Sequence, residues 1–237
     1  MHYLDRDKLD AVDAAAFANM KPYPFVNPAG LLTDDGYRRL LENQPDVSAL
    51  TPSFGRKRSH GQYPHDRYVL EYQPGLELIR EEWHEFVAEL HSPPYTHFIK
   101  RLYGRNRFRL NMHWHYTPNG CVVSPHCDAL HKTGSHIFYL NTPGDWDPSW
   151  GGQTLMLDDC GRFAVNSSPN FEDFDRIVAG ECIGNFSTLF ARRHQSWHGV
   201  RELKCPEDKL RKVFVVVINR PILYATRRLI NRIKKKQ

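Results

Sequence analysis

The sequence has 237 residues, of which 41% are hydrophobic and 25% charged, an ordinary globular balance that excludes a disordered or fibrous chain. Its five cysteines form no CxxC pair, which argues against a disulfide scaffold and a zinc ribbon and favours a reducing compartment. The net charge of +5 comes from residues 218–237, with seven Lys/Arg and no acid, which leaves 25 basic and 27 acidic residues elsewhere and argues against nucleic-acid binding.

The N-terminal segment and the hydropathy of the chain bear on its location. The first ten residues, MHYLDRDKLD, contain acidic residues where a signal peptide needs basic and then apolar residues. The longest apolar run, 213–218, has six residues, whereas a membrane span needs about 18. We therefore expect a soluble, cytoplasmic protein.

The first part of the chain has the periodicity of helices. Apolar residues recur at three- and four-residue spacings after the Pro-Gly pair at 74–75 and again after the Pro-Pro pair at 93–94. Thr33 is a candidate N-cap for an earlier helix, and Gly104 ends the last one. The predicted helices are 9–20, 34–41, 76–90 and 95–103.

From Arg107 the period of the apolar residues changes to two, which predicts half-buried strands separated by turns at Asn-Gly, Pro-Gly and Gly-Gly pairs. The predicted strands are 108–116, 136–141, 153–157, 185–190, 197–202 and 212–219. No helical pattern of about ten residues separates them, so an antiparallel barrel or jelly roll with helices packed outside fits better than a parallel sheet. We expect one domain over 1–237, with a helical part at 1–105, a jelly-roll core at 107–219 and a basic tail at 220–237.

A short fragment of the strand-rich part carries metal-ligand chemistry. His126 and Asp128 are two residues apart, so on a strand they share a face while Cys127 points away. A third ligand must come from a distant strand, and His198 offers an imidazole. Two histidines and one carboxylate form the facial triad of non-haem Fe(II) oxygenases, which leaves three metal positions open. A surface turn for the His-x-Asp pair and a core histidine at 198 is the alternative interpretation.

An arginine after this pattern favours the metal interpretation. Arg211 opens the predicted strand 212–219 and shares a face with three valines of that strand. A guanidinium on an apolar strand face needs a buried anion, and a dicarboxylate held by bidentate hydrogen bonds would be such an anion. Lys212 and Arg220 are weaker candidates, because Lys212 points to the opposite face and Arg220 lies beyond the strand.

Six short motifs occur in the same order as in a known enzyme family. They are Tyr116-Thr117-Pro118-Asn119-Gly120, His126-Cys127-Asp128, Phe138-Tyr139-Leu140-Asn141, Trp146-Asp147 with Gly151-Gly152, His198-Gly199-Val200, and Arg211. Together, over residues 111–219, they resemble the Fe(II)/2-oxoglutarate-dependent oxygenases, specifically the prolyl-4-hydroxylase-like branch. The resemblance implies a double-stranded β-helix, or jelly roll, with His126, Asp128 and His198 as iron ligands. The retained carboxylate favours hydroxylation over halogenation.

The resemblance also implies a site for the cosubstrate. Arg211 would pair with the distal carboxylate of 2-oxoglutarate, Tyr139 would hydrogen-bond the same group, and Tyr116 would line the cosubstrate pocket. The implied cofactors are Fe(II), 2-oxoglutarate as cosubstrate and O₂, with ascorbate as an optional reductant.

Other polar residues are weaker candidates for the site. His113 and His115 alternate with the apolar residues of 108–116, whose apolar face we expect to fill the barrel, so we assign the two histidines a structural role. His194 is an alternative third ligand in a basic turn. The polar stretch 54–67 has the composition of a loop, and the resemblance implies that such a segment covers the pocket. Its candidate contacts to a polar or anionic substrate are Arg56, Lys57, Arg58, His60 and His65.

These observations favour a 2-oxoglutarate-dependent dioxygenase that hydroxylates an unactivated C–H of a small-molecule, sugar or lipid intermediate. The alternative within the enzyme class is a hydroxylase of prolyl or other residues in a protein. The alternative from another class is a non-catalytic jelly-roll binding module that docks through its basic tail. The tail, 220–237, is either a solvated helix or a weak contact to an anionic membrane surface. The sequence predicts neither the carbon oxidised nor the oligomeric state.

Overall fold

The computed structural model describes residues 2–226 of the chain. The helices in this range are α1 (Arg6–Ala11), α2 (Ala14–Asn19), α3 (Asp34–Glu42), α4 (Glu81–Leu90) and α5 (Pro93–Tyr103), and residues 221–226 are also helical. None of the helices in the described range has the length and apolar character to cross a membrane. Residues 227–237 of the predicted basic tail lie outside the described residues.

The helix ends follow from capping chemistry. The Thr33 hydroxyl accepts a hydrogen bond from Gly36 N and starts α3, as predicted. The predicted helix 9–20 is instead two helices, because the Asp13 carboxylate caps α2 by accepting from Ala15 N and Ala16 N. Gly104 ends α5 with a left-handed backbone, φ +61°. Helix α4 begins at Glu81, later than the periodicity predicts.

Eleven strands of the described residues form two antiparallel sheets. They are β1 (Phe25–Val26), β2 (Thr51–Ser53), β3 (Arg67–Glu71), β4 (Arg109–Pro118), β5 (Val123–Cys127), β6 (Lys132–Tyr139), β7 (Leu155–Asp158), β8 (Arg176–Ala179), β9 (Ser187–Ala191), β10 (Trp197–Val200) and β11 (Leu210–Asn219). The large sheet has the order β1-β9-β6-β11-β4-β3-β2, and the small sheet has the order β5-β10-β7-β8. Each predicted strand overlaps an observed one, and the predicted jelly-roll core with helices packed on it is confirmed.

Three strands of the large sheet come from the part of the chain that was predicted to be helical. Strand β1 pairs with β9 at one edge, and β3 and β2 extend the other edge beyond β4. Strands of two, three and five residues are too short to give a clear period of two. The first part of the chain therefore builds the sheet as well as the helices that cover it.

The sequence predicts that the apolar face of β4 fills the space between the two sheets. In the structure this face packs against the helices instead. Trp114 on this face packs against Trp83 of α4, with ring centroids 5.0 Å apart, and against Phe214 of β11 at 4.8 Å. These rings belong to the main core, which lies between the large sheet and the helices. The alternation along β4 is confirmed, but its apolar side chains pack in one cluster with those of α4 and α5. The opposite face of β4, which carries His113 and His115, therefore faces the small sheet.

Candidate metal and cosubstrate site

Strand pairing in the small sheet brings the two candidate histidine ligands together. In the register of β5 with β10, His126 lies directly opposite His198, and cross-strand partners in an antiparallel pair point to the same face. The two imidazole centroids are 4.3 Å apart. Asp128 follows the last residue of β5, and its carboxylate Oδ1 lies 4.0 Å from His198 Nε2. The structure thus brings together three residues that are distant along the chain.

The ligand atoms of this triad are free for a metal ion. His126 Nδ1 donates to Ser124 O and His198 Nδ1 donates to Ser196 O, each at 2.9 Å, which leaves Nε2 of both rings as a lone-pair donor. The Oδ2 atom of Asp128 is buried and has no hydrogen-bond partner within residues 2–226. One ligand atom from each residue lies within 4.8 Å of the others, and no other such cluster occurs in the described range. Two imidazoles and a carboxylate fit Fe(II).

The protonation states also suit metal binding. Burial lowers the pKa of both His126 and His198, so the rings are neutral. Burial alone would raise the pKa of Asp128, but the charge of the Lys132 ammonium and its hydrogen bond act against burial, and the carboxyl pKa lies below its usual value. Lys132 Nζ lies 2.5 Å from Asp128 Oδ1. The carboxylate is therefore ionised, with one oxygen paired to Lys132 and the other unpaired.

Arg211 is buried in the same cavity as the triad. It lies on β11 with 6% of its surface exposed, and its Nε donates to Gly152 O at 2.6 Å while Nη2 lies 3.5 Å from Thr154 Oγ1. None of the ion pairs within residues 2–226 involves it. Burial lowers its pKa. A buried guanidinium without an acid needs an anion from solution.

A glycine makes room for the Arg211 side chain. A Cβ atom on Gly152 would lie 3.3 Å from Arg211 Cδ, and the backbone there has φ +102°, a conformation that side chains disfavour. The requirement for a small residue at this position therefore explains the second glycine of the pair 151–152, which belongs to one of the six motifs. The absence of a side chain there lets the Gly152 carbonyl approach the guanidinium closely.

The two tyrosines predicted at the cosubstrate site have different positions. Tyr139 lies beside Arg211, whose guanidinium carbon is 5.7 Å from the tyrosine ring centroid, and its hydroxyl bonds Thr154 Oγ1 and Thr188 Oγ1 at 2.9 and 3.0 Å. Tyr116 lies on the opposite, helix-facing side of the large sheet and donates to Pro45 O at 3.0 Å. The prediction that Tyr116 lines this pocket is therefore corrected, because the pleat of β4 turns its side chain into the helix-covered core.

The cavity that holds the triad and Arg211 has a volume of about 760 Å³ and is lined from both sheets. Four of the five candidates in the polar stretch 54–67 line the cavity, namely Lys57, Arg58, His60 and His65, whereas Arg56 does not. His115 also lines the cavity, while His194 is exposed and outside it. Arg67 also lines the cavity, from the start of β3, and it was not among the candidates because β3 was not predicted.

No protein-family model matches the sequence, and no curated protein matches it. The structure does match solved structures. A prolyl-4-hydroxylase from Pseudomonas putida aligns at 17% identity over 87% of this chain and 98% of its own, with a TM-score of 0.59.

Two further matches come from different kinds of enzyme. A prolyl hydroxylase from Trichoplax adhaerens, solved with a peptide fragment of hypoxia inducible factor, aligns at 14% identity over 93% of each chain, with a TM-score of 0.61. The non-heme alpha-ketoglutarate-dependent carbocyclase SnoK from nogalamycin biosynthesis aligns at 12% identity over 90% of this chain and 85% of its own, with a TM-score of 0.59. Alpha-ketoglutarate is another name for 2-oxoglutarate. The chain therefore has the fold of prolyl 4-hydroxylases and of non-heme 2-oxoglutarate-dependent enzymes, as the order of its motifs predicts.

Proposed function

We propose that the protein is an Fe(II)- and 2-oxoglutarate-dependent dioxygenase that hydroxylates an unactivated C–H bond of a small molecule. One observation carries the proposal. A single cavity holds two neutral imidazoles, a carboxylate with an unpaired buried oxygen, and a buried arginine without an acidic partner. Each of these groups is costly to bury unpaired. A metal ion and a dicarboxylate would satisfy all of them at once.

Each residue has a defined task in this proposal. Iron bound there would supply, with 2-oxoglutarate and O₂, the oxidative decarboxylation that is coupled to C–H hydroxylation. His126 and His198 present Nε2, because the hydrogen bonds at Nδ1 fix both ring orientations. Asp128 adds the third ligand. Arg211 would hold the far carboxylate of the cosubstrate, while Val213 and Val215 of the same strand exclude water from that side of the cavity.

The size of the cavity favours a small molecule as the substrate. Its volume of about 760 Å³ falls within the range of roughly 300–1,000 Å³ that is usual for small-molecule sites. The fold occurs both in a prolyl hydroxylase that was solved with a peptide and in a carbocyclase from nogalamycin biosynthesis. A hydroxylase of protein residues is therefore the second candidate, favoured by the first of these matches.

Succinate formation tests the proposal against a non-catalytic binding module. We expect the protein to form succinate from 2-oxoglutarate with Fe(II), O₂ and ascorbate, and Asp128→Ala to abolish this turnover because it removes a metal ligand. The matched control is Asp208→Ala, which removes an exposed aspartate outside the cavity and should keep the wild-type rate. Absence of both turnover and Fe(II) binding in the wild type would favour the binding module.

A further inference from the structure

The cavity has a large excess of positive charge. The cationic side chains that line it are Lys57, Arg58, Arg67, Lys132, Arg192 and Arg211, and Asp128 is the single acid among its described lining residues. Six positive charges against one negative charge leave a formal excess of five. Fe(II) and the dianion of 2-oxoglutarate would bring two positive and two negative charges, so they would leave this excess unchanged. Charge of one sign in a low-dielectric cleft attracts ligands of the other sign.

Arg67 is the cavity cation with a buried donor atom that no described residue satisfies. Its Nη1 donates to His65 O at 3.2 Å, but its Nε is buried without a hydrogen-bond partner within residues 2–226. It forms none of the ion pairs of the described range. Burial, together with the positive charges of Arg58 and Arg211, lowers its pKa to about 10. A half-buried guanidinium with one buried, unsatisfied N–H and no anionic partner is costly.

The sheet register places Arg67 in line with the proposed cosubstrate arginine. Tyr68 of β3 pairs with Tyr116 of β4, and Thr117 of β4 pairs with Arg211 of β11. Arg67 precedes Tyr68, so its side chain lies on the same face as that of Arg211, with β4 between the two strands. Two separate arginines therefore enter one cavity, and a single dicarboxylate at Arg211 leaves the second unoccupied.

The segment before β3 holds further cations over the metal triad. His65 anchors it, because His65 Nε2 lies 3.1 Å from Ser124 Oγ and the imidazole centroid lies 4.7 Å from that of His126. Arg58 lies at the cavity mouth, where its one hydrogen bond in the described range is a long contact from Nε to Gln62 Oε1 at 3.4 Å. Its guanidinium is therefore available to a ligand that enters the cavity.

From these observations we infer that the substrate is a small molecule with an oxyanion group, a phosphate or a carboxylate, which Arg67 binds together with Arg58. This inference rests on the proposed function, because it places the substrate in the cavity of the proposed iron site. Arginine suits the role, since its planar fork gives two parallel hydrogen bonds to a carboxylate or phosphate. The bound oxyanion fixes the substrate at the cavity mouth, so that its uncharged part extends toward the triad.

Calorimetric titration of inorganic phosphate into the protein tests this inference. The protein is loaded with Mn(II), which replaces Fe(II) without turnover, and saturated with 2-oxoglutarate so that Arg211 is occupied. We expect saturable phosphate binding that weakens at least tenfold in Arg67→Gln and several-fold in Arg58→Gln. The matched control is Arg56→Gln, an exposed arginine of the same segment outside the cavity, which should bind as the wild type. Acetate, titrated in the same way, tests a carboxylate in place of phosphate.

The results separate this inference from the proposed function. It is overturned if neither anion binds saturably to the wild type, or if Arg67→Gln and Arg58→Gln bind both anions as tightly as the wild type does. A loss of 2-oxoglutarate affinity in Arg67→Gln with unchanged anion binding would also overturn it, because Arg67 would then belong to the cosubstrate site. Failure of the proposed function has a different signature, namely no Mn(II)-dependent binding of 2-oxoglutarate by the wild type. The anion titrations are repeated without metal and 2-oxoglutarate. Should Arg67→Gln fold poorly, Arg58→Gln still tests the inference, because Arg58 is exposed and its substitution leaves the core unchanged.

Discussion

Among single residues, Arg211 connects the sequence pattern most directly to the proposed chemistry. We predict that Arg211→Gln raises the 2-oxoglutarate concentration for half-maximal succinate formation at least tenfold. Removal of one partner from a buried ion pair costs about 3–5 kcal/mol, and about 1.4 kcal/mol already corresponds to tenfold. Lys212→Gln is the control, since the adjacent Lys212 lies on the opposite face, where its Nζ is 6.0 Å from the Tyr116 ring. An unchanged cosubstrate requirement in Arg211→Gln would contradict the assignment.

The sequence predicts some site residues and not others, for a physical reason. His126, Asp128 and Arg211 are identifiable because strand alternation fixes which side chains share a face. Arg67 could not be identified, because its position on the same face as Arg211 depends on the pairing of β3 with β4. A local sequence pattern does not reveal which strands pair. Tyr116 was misplaced for a related reason, since a motif gives a residue's position along the strand but not the side that the helices cover.

Among the elements, the packing of α5 on β6 buries a titratable group. His136 of β6 is fully buried, and its Nδ1 lies 3.0 Å from the Tyr95 hydroxyl of α5, while its Nε2 has no partner in the described range. Burial lowers its pKa well below the usual value near 6.5. The helix therefore packs on a neutral imidazole.

This burial predicts a pH dependence of stability. Below about pH 6.5 the unfolded chain takes up a proton at His136 that the folded chain does not, so the free energy of unfolding falls as the pH falls. One such proton contributes about 1.4 kcal/mol per pH unit. We expect His136→Gln to reduce the slope of unfolding free energy between pH 6 and pH 5 by about this amount, measured by urea unfolding. Unfolding at pH 8 gives the packing cost of the substitution separately, and identical slopes for both proteins would contradict the prediction.

The periodic patterns predict correctly whether a long element is a strand or a helix. They do not predict which layer of the fold the element packs against. Strand β4 was recognised from its period of two, and α5 from its period, its prolines and Gly104. The pattern could not tell which layer the apolar face of β4 contacts, since both a helix layer and a second sheet would bury it. The short strands β1, β2 and β3 gave no pattern and depend on pairing with β9 and β4.

In the whole molecule, the large sheet joins the two parts of the sequence. Edge strands from the first part pair with strands of the second part on both sides, and we therefore keep the proposal of one domain over the chain. The same arrangement gives the cavity its two walls. The small sheet provides the triad, whereas the large sheet provides Arg211, Arg67 and the apolar strand β11.

The central claim is that His126, Asp128 and His198 hold one metal ion in this cavity. A crystal structure of the protein grown with Mn(II), with anomalous diffraction data, tests it most directly. We predict one anomalous peak in the cavity, bound by Nε2 of both histidines and by the Asp128 carboxylate. An ordered structure in which these three residues carry no anomalous peak, or in which the peak lies elsewhere, would contradict the account.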